Sequence, residues 1–302
     1  MTAYWQEQCV YMGQERVFEQ ASEVIEKLTG TAVTAKQLER LCHCYGQLAE
    51  AQQVQQADAL HTKDERTHYA MVDGGMVLTR EDDWREMKLG RVFAAEAHLP
   101  ESEKRNFIRE STYVAHLGGH RAFFNKLLPV TDRLSEVIWI ADGARWIWDH
   151  VQTHYPDSVQ ILDYYHCKEK LCEFASEAFK DKTERSEWIA LQEELLLADQ
   201  APTVLANIAL MGCQGKARQR QRSLLTYYEN NINRMHYQSY RQEGLLIGSG
   251  PMEAAHRHVI QQRMKLSGQR WTLAGAQQLA TLRALNKSGQ WKLVKDIICQ
   301  PN

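Results

Sequence analysis

Val137-Ile138-Trp139-Ile140-Ala141-Asp142-Gly143-Ala144 is the stretch on which the fold turns. Val137 to Ala141 is wholly apolar, short and rich in β-branched residues, which predicts a central strand buried on both faces rather than a helix. Asp142-Gly143 punctuates it. Beyond, Ala144, Ile147, Trp148, Val151 and Tyr155 recur at helical spacing until Pro156 stops them, and Val159 to Leu162 forms a second buried strand. Upstream, Thr112 to Leu117 and Arg91 to His98 have strand texture, and Tyr69 to Val72 and Met76 to Thr79 flank Asp73-Gly74-Gly75. Strands interleaved with helices predict an α/β fold with a mixed sheet.

The texture changes on either side. From Lys168 to about Tyr240 almost nothing is strand-like: Leu171, Phe174, Ala175, Ala178 and Phe179, then Trp188, Leu191 and Leu195, then Leu224, Tyr227, Tyr228 and Ile232 give successive amphipathic helices. A Gly248 to Pro251 turn leads to a helix through about Leu266, a Ser267-Gly268 break and a last helix from about Leu273 to Asn286. At the other end, Arg16 to Gln52 reads as two helices. The first ends at Thr29-Gly30, and the second opens on Thr34 with Gln37 reaching back to it. A Gln-rich link, Ala51 to Arg66, follows. The predicted organisation is a helical N-terminal region over 1–62 that could contact DNA, a mixed-sheet core over 63–167, an all-helical insertion over 168–243, and C-terminal helices over 244–302 that complete the core.

With 302 residues, 44% hydrophobic and 25% charged, the chain can bury a sizeable core, which excludes disorder and collagen. No apolar run approaches the ~18 residues of a membrane span, and Met1 to Tyr11 lacks the profile of a secretory signal, so an intracellular protein is expected. Seven cysteines without a C-x-x-C pair indicate buried free thiols rather than a disulfide framework or a common zinc module. Charge is unevenly spread. Gly212 to Asn302 carries fourteen Lys and Arg against four Asp and Glu, about +10 within a chain of net charge -2. Lys216, Arg218, Arg220 and Arg222, and then Arg257, Arg263, Lys265 and Arg270, could neutralise a phosphate backbone or simply be a solvated surface.

Three acids stand where strands end or a helix begins: Asp73 after an apolar strand, Asp142 after Val137 to Ala141, and Glu253 three residues past Gly250. Strand ends are where ligand sites of α/β proteins gather, and oxygen donors suit Mg²⁺. Each acid also has a plainer reading: Asp73-Gly74-Gly75 as a hairpin turn, Asp142-Gly143 as punctuation, and Glu253 as a helix-capping acid.

In combination the segments resemble the ribonuclease H-like core of bacterial insertion-sequence DDE transposases of the Kra-type group, related to the Mutator-like enzymes. The resemblance is carried by Val72-Asp73-Gly74-Gly75-Met76 with Trp84-Arg85-Glu86, and by Ala141-Asp142-Gly143-Ala144 with Trp146-Ile147-Trp148. It continues in Ile161-Leu162-Asp163-Tyr164-Tyr165-His166, Ile247-Gly248-Ser249-Gly250-Pro251-Met252-Glu253, and Arg263 to Trp271, and it covers about Arg16 to Trp291. It implies that Asp73, Asp142 and Glu253 are a catalytic, metal-binding triad for Mg²⁺, with Mn²⁺ as substitute. The 168–243 block is then the insertion before the third acid, and Asp163 and His166 are neighbours of the active site.

The expected chemistry is two-metal phosphoryl transfer, nicking DNA and then joining ends, with no covalent enzyme intermediate. Arg257, Arg263, Lys265 and Arg270 are the expected contacts to double-stranded DNA, both transposon ends and target. Trp271, Trp146 and Trp148 are expected in the core. Assembly as a homodimer or larger on DNA, in the bacterial cytoplasm at the nucleoid, goes with that reading. Many relatives carry an upstream Cys-rich DNA-binding segment that this chain lacks. The alternative is therefore a domesticated or truncated transposase that binds DNA without productive transposition, and a third reading is a structural α/β protein.

Overall fold

A computed structural model describes residues 1–57, 63–102 and 105–300. It is α/β, with strand order β5-β2-β1-β6-β7 in a mixed five-stranded sheet. Three helices, α1 (Ala3–Glu15), α2 (Phe18–Thr29) and α3 (Ala35–Ala57), precede the long strand β1 (Asp64–Leu78) and β2 (Trp84–Ala94). A small hairpin follows, β3 (His98–Ser102) with β4 (Arg105–Ile108), and then β5 (Thr112–Leu117), α4 (His120–Thr131) and β6 (Leu134–Ala141). Next come α5 (Arg145–His154), β7 (Val159–Leu162), and a run of helices: α6 (Tyr164–Ala178), α7 (Lys182–Leu197), α8 (Ala201–Leu210), α9 (Gly215–Asn231) and α10 (Tyr237–Gln242). The chain continues through α11 (Gly250–Ala255), a π-helical turn (His256–Gln261) and α12 (Gln262–Met264) to α13 (Leu273–Lys287) and α14 (Trp291–Cys299).

The Asp73-Gly74-Gly75 hairpin does not form. β1 runs straight through it, paired antiparallel with β2 from His68↔Ala94 to Leu78↔Trp84, and Asp73 faces Leu89. The chain reverses later, at Thr79 to Asp83. There the Thr79 amide and hydroxyl both donate to the Asp83 carbonyl, and Asp83 takes a left-handed φ of 53°. The two glycines serve close approach instead. A Cβ at Gly74 would fall 2.1 Å from a Glu86 carboxylate oxygen, and one at Gly75 would fall 3.0 Å from the His256 ring.

The fold divides into two units, Met1–Val137 with Pro251–Asn302, and Ile138–Gly250. The N-terminal helices share one unit with the C-terminal helices. Leu38, Cys42 and Ala49 of α3 are wholly buried: Leu38 clusters with Cys9 of α1 and with Ala21 and Ile25 of α2, Cys42 Sγ lies 3.7 Å from the Val10 carbonyl, and α3 also packs on α13, itself buried on almost every side. Approach is close enough that a Cβ on Gly46 would lie 2.6 Å from the Gln278 carbonyl oxygen. Leu48 is exposed, and the buried stripe of α3 runs through Leu38, Cys42, Gly46 and Ala49. The Thr34–Gln37 capping box forms, with Gln37 N donating to Thr34 Oγ1 at 3.2 Å and Thr34 N to Gln37 Oε1 at 2.9 Å. Gly30 closes α2 at φ 67°. The supposed link beyond Gln52 is in part the end of α3. Residues 58–62 of that link lie outside the described residues.

In the second unit β6 and β7 pair parallel, Ile138↔Val159 to Ala141↔Leu162, and the rest is helical, starting with α6. Trp139 is buried against Tyr155, and Tyr164 packs edge-on to Tyr237. The sequence reading had no counterpart for α1, the β3–β4 hairpin, α4 or α14. Among the described residues no helix is long and apolar enough to cross a membrane.

Candidate functional site

In the first unit, Asp73 sits near the middle of β1 with its side chain one-third exposed. Its Oδ1 accepts from the Gly74 amide at 2.7 Å, and its Oδ2 lies 3.3 Å from Nε2 of the buried His256. That nitrogen has no aligned hydrogen-bond partner. Burial holds the His256 ring below the ordinary histidine range, against the pull of Asp73, which favours a neutral imidazole. Strand alternation puts Met71, Asp73 and Gly75 on one face, and Arg91, paired with Met71 across the ladder, shares it. Arg91 is buried. It stacks on Phe93 at 5.4 Å and Tyr113 at 5.5 Å, and its Nη1 donates to the Pro251 carbonyl at 2.6 Å.

α11 is therefore fastened to the Asp73 face at two points, by Arg91 at its start and by His256 just past its end. Glu253 stands between them, exposed, in the first turn. A π-helical turn follows directly, a distortion often found at functional sites. Neither Arg91 nor His256 is among the residues that the sequence marks as functional. An arginine inside the apolar run Leu89 to Ala94 was a usable signal for the first, because such a charge needs a buried partner. His256 had no comparable signal.

On the opposite face of β1, Glu86 lies over Gly74 and pairs with the buried Lys88, which also donates to the Gly118 carbonyl at 2.8 Å. Glu86 thereby has a packing task. Trp84, at the start of β2, is exposed.

In the second unit, Asp142 is half-buried one residue past β6. Its Oδ1 accepts from the Ala144 amide at 2.9 Å and its carbonyl from Trp148 Nε1 at 2.7 Å. Trp148 is in the core as expected, and Arg234 covers its ring at 4.4 Å. Tyr227 of α9 lies against Gly143, where a Cβ would come within 2.0 Å of the ring. The helical block thus packs directly on the Asp142 loop.

Asp163 caps α6 and is only 1% exposed. It accepts from Tyr165 N at 2.7 Å, His166 Nδ1 at 2.9 Å, Ser249 N at 3.1 Å and the Ser249 hydroxyl. It therefore acts as a latch that ties residues 248–249, just ahead of α11, to the start of α6. His166 is one-third exposed beside it. Burial would raise the Asp163 pKa, but the bonds from His166 and Ser249 outweigh it and hold the carboxyl below its usual range. A carboxyl depressed in the folded state adds stability above its unfolded pKa, and that stability is lost as pH falls through the folded value. Thermal melts of Asp163→Asn are expected to show a lower melting temperature at pH 7 and a shallower decline below pH 4 than the native chain.

Arg263 requires correction as a DNA contact. It is 1% exposed, enclosed by Phe18 and Trp271 and bonded to the Gly13 carbonyl, so no phosphate can reach it. Arg257, Lys265 and Arg270 are exposed. Trp271 is buried with Nε1 donating to the Met264 carbonyl, and Thr272 caps α13 as expected. Oxygen donors such as Asp73, Asp142 and Glu253 suit a hard divalent cation. Among the described residues, however, no three His, Cys, Asp or Glu side chains stand together as a ready-made metal site. The sequence matches no protein-family model and no curated protein.

Proposed function

We propose that the chain is a ribonuclease H-like DDE transposase of a bacterial insertion sequence, performing metal-dependent DNA strand cleavage and strand transfer. The observation that carries this reading is the fastening of the Glu253 helix across the Asp73 face of β1 by Arg91 and His256. It favours two acids working together over the turn and cap readings of each. An all-helical block packed on the Asp142 loop also agrees.

In this reading Asp73, Asp142 and Glu253 would hold Mg²⁺ or Mn²⁺. The ions would supply charge neutralisation at the phosphodiester and a more acidic attacking hydroxyl. The chain's own task is positional. Arg91 and His256 fix the Glu253 helix, Asp163 fixes the loop before it, and exposed Arg257, Lys265 and Arg270 bind backbone phosphates of transposon end and target DNA. Joining two ends calls for a dimer or larger assembly on DNA, and a site of action at the nucleoid.

The test is nicking of supercoiled and branched DNA by the native chain with Mg²⁺ or Mn²⁺. Cleavage is expected with either ion and none after chelation. The alternative is a domesticated or truncated transposase that binds DNA without cleaving it. Binding of the same DNA with no metal-dependent nicking would select it.

A further inference from the structure

The end of α1 and the π-helical turn after α11 meet on one side chain. Like any α-helix, α1 leaves its last carbonyls without intrahelical donors. Two buried arginines from the C-terminal segment take them up: Arg263 bonds the Gly13 carbonyl at 3.1 Å, and Arg283 Nη1 bonds the Gln14 carbonyl at 2.6 Å. Arg283 is 1% exposed, and its remaining donors face the other way. Nε donates to the Val259 carbonyl at 2.5 Å, and Nη2 donates to the His258 carbonyl. Both acceptors lie inside the π-helical turn. Glu15, at the end of α1, completes the arrangement. It receives Asn286 Nδ2 at 2.8 Å and Lys287, and lies 3.6 Å from Arg283 Nη1.

We propose that Arg283 is a positioning residue for the Glu253-bearing segment: its planar fork holds two successive π-turn carbonyls against the end of α1 and so fixes His256 and Glu253 relative to Asp73. The assignment rests on the reading of Asp73 and Glu253 as catalytic acids, but its physical content, a rigid π-turn, stands apart from any activity. The fork geometry is what matters. An ammonium carries the same charge yet cannot bond in both directions with fixed angles. A positive charge at the C-terminal end of α1 also agrees with the helix dipole, which accounts for why an arginine rather than a neutral donor is tolerated in so buried a place.

The test uses the full chain with Arg283→Met, which keeps length and volume but has no donors, and the milder Arg283→Lys. Amide hydrogen exchange is read over His256–Met264, β1, β2 and α13, alongside DNA affinity and the rate of Mg²⁺-dependent nicking. Exchange in the His256–Met264 segment is expected to quicken about tenfold in Arg283→Met, the change that goes with losing one buried hydrogen bond, and less in Arg283→Lys, with β1 and β2 unchanged. Nicking kcat should fall by a similar factor while DNA affinity holds, with partial rescue in Arg283→Lys. Native exchange over His256–Met264 in both variants would overturn the proposal. So would faster exchange spread evenly over β1, β2 and α13, since Arg283 would then be a general core residue. A native chain without nicking, together with localised loosening in the variants, would defeat the transposase reading and leave the positioning role standing.

Discussion

On the proposed reading, Asp73→Asn and Asp142→Asn are each expected to lower Mg²⁺-dependent nicking by about a thousandfold or more, a loss of roughly 4 kcal/mol in transition-state stabilisation, as removal of one charged ligand from a metal-assisted phosphoryl transfer would give. The amide keeps the shape of the carboxylate and one acceptor oxygen. Gly74 N–H in the first case and Ala144 N–H in the second therefore retain their partner, and the fold should hold to within about 1 kcal/mol. Melting temperature and DNA affinity separate this from misfolding, since both should stay near native while cleavage disappears. His256→Ala is the informative companion. It leaves every acid in place but opens a hole beneath Asp73 and frees the far end of α11, so it should reduce both stability and rate without abolishing the latter. More than a tenth of native nicking in Asp73→Asn would remove that acid from the chemistry, and the Glu253 helix would then be fastened to β1 for structural reasons alone.

What could be read in the sequence follows from how local the governing forces are. Val159 to Leu162 and Thr112 to Leu117 have their predicted bounds because apolar runs ended by turn residues carry their own limits. The capping box at Thr34 and the glycine end at Gly30 were legible for the same reason. Asp73-Gly74-Gly75 was not, because the same dipeptide signal serves a tight turn and a close approach. Only the positions of Glu86 and His256, one on each face of β1, decide between them. The union of α3 with α13 was likewise invisible, since both carry amphipathic patterns that do not state their partner. The site divides in the same way. Asp73, Asp142 and Glu253 are candidates by their places after apolar strands and at a helix start, and as a triad only through the resemblance, whereas Arg91 and His256 make contacts with residues far away in the chain. Charge counting failed where burial intervened: Arg234, Arg263 and Arg283 add to the basic total of the C-terminal third, yet Arg263 and Arg283 are buried and Arg234 is stacked on Trp148.

Arg263→Ala is expected to lower stability by about 3 kcal/mol and, if the chain binds DNA as proposed, to leave that affinity unchanged, the reverse of what a phosphate contact would give. Three terms set the size. Truncating a fully buried long side chain costs about 2–5 kcal/mol in lost packing. Here that packing includes Phe18 at 4.6 Å and Trp271 at 5.1 Å, whose ring faces a guanidinium attracts. Leaving the Gly13 carbonyl without a donor adds about 1–3 kcal/mol. Against these stands relief from burying a cation with no hydrogen-bonded acid, a burial that pushes the Arg263 pKa down to about 10. The last term means that Arg263→Met, which refills the volume and discards the charge, should cost about 1 kcal/mol or less. The ordering native, Met, Ala in melting temperature is then the signature of a packed structural arginine. Salt titrations of DNA binding supply the contrast. Arg257→Ala, Lys265→Ala and Arg270→Ala should each flatten the dependence of log affinity on log salt by about 0.9, one released counterion apiece, with melting temperatures near native. A flatter salt dependence in Arg263→Met would mean that the C-terminal segment opens on DNA and delivers this side chain to a phosphate, which would overturn its assignment to the core.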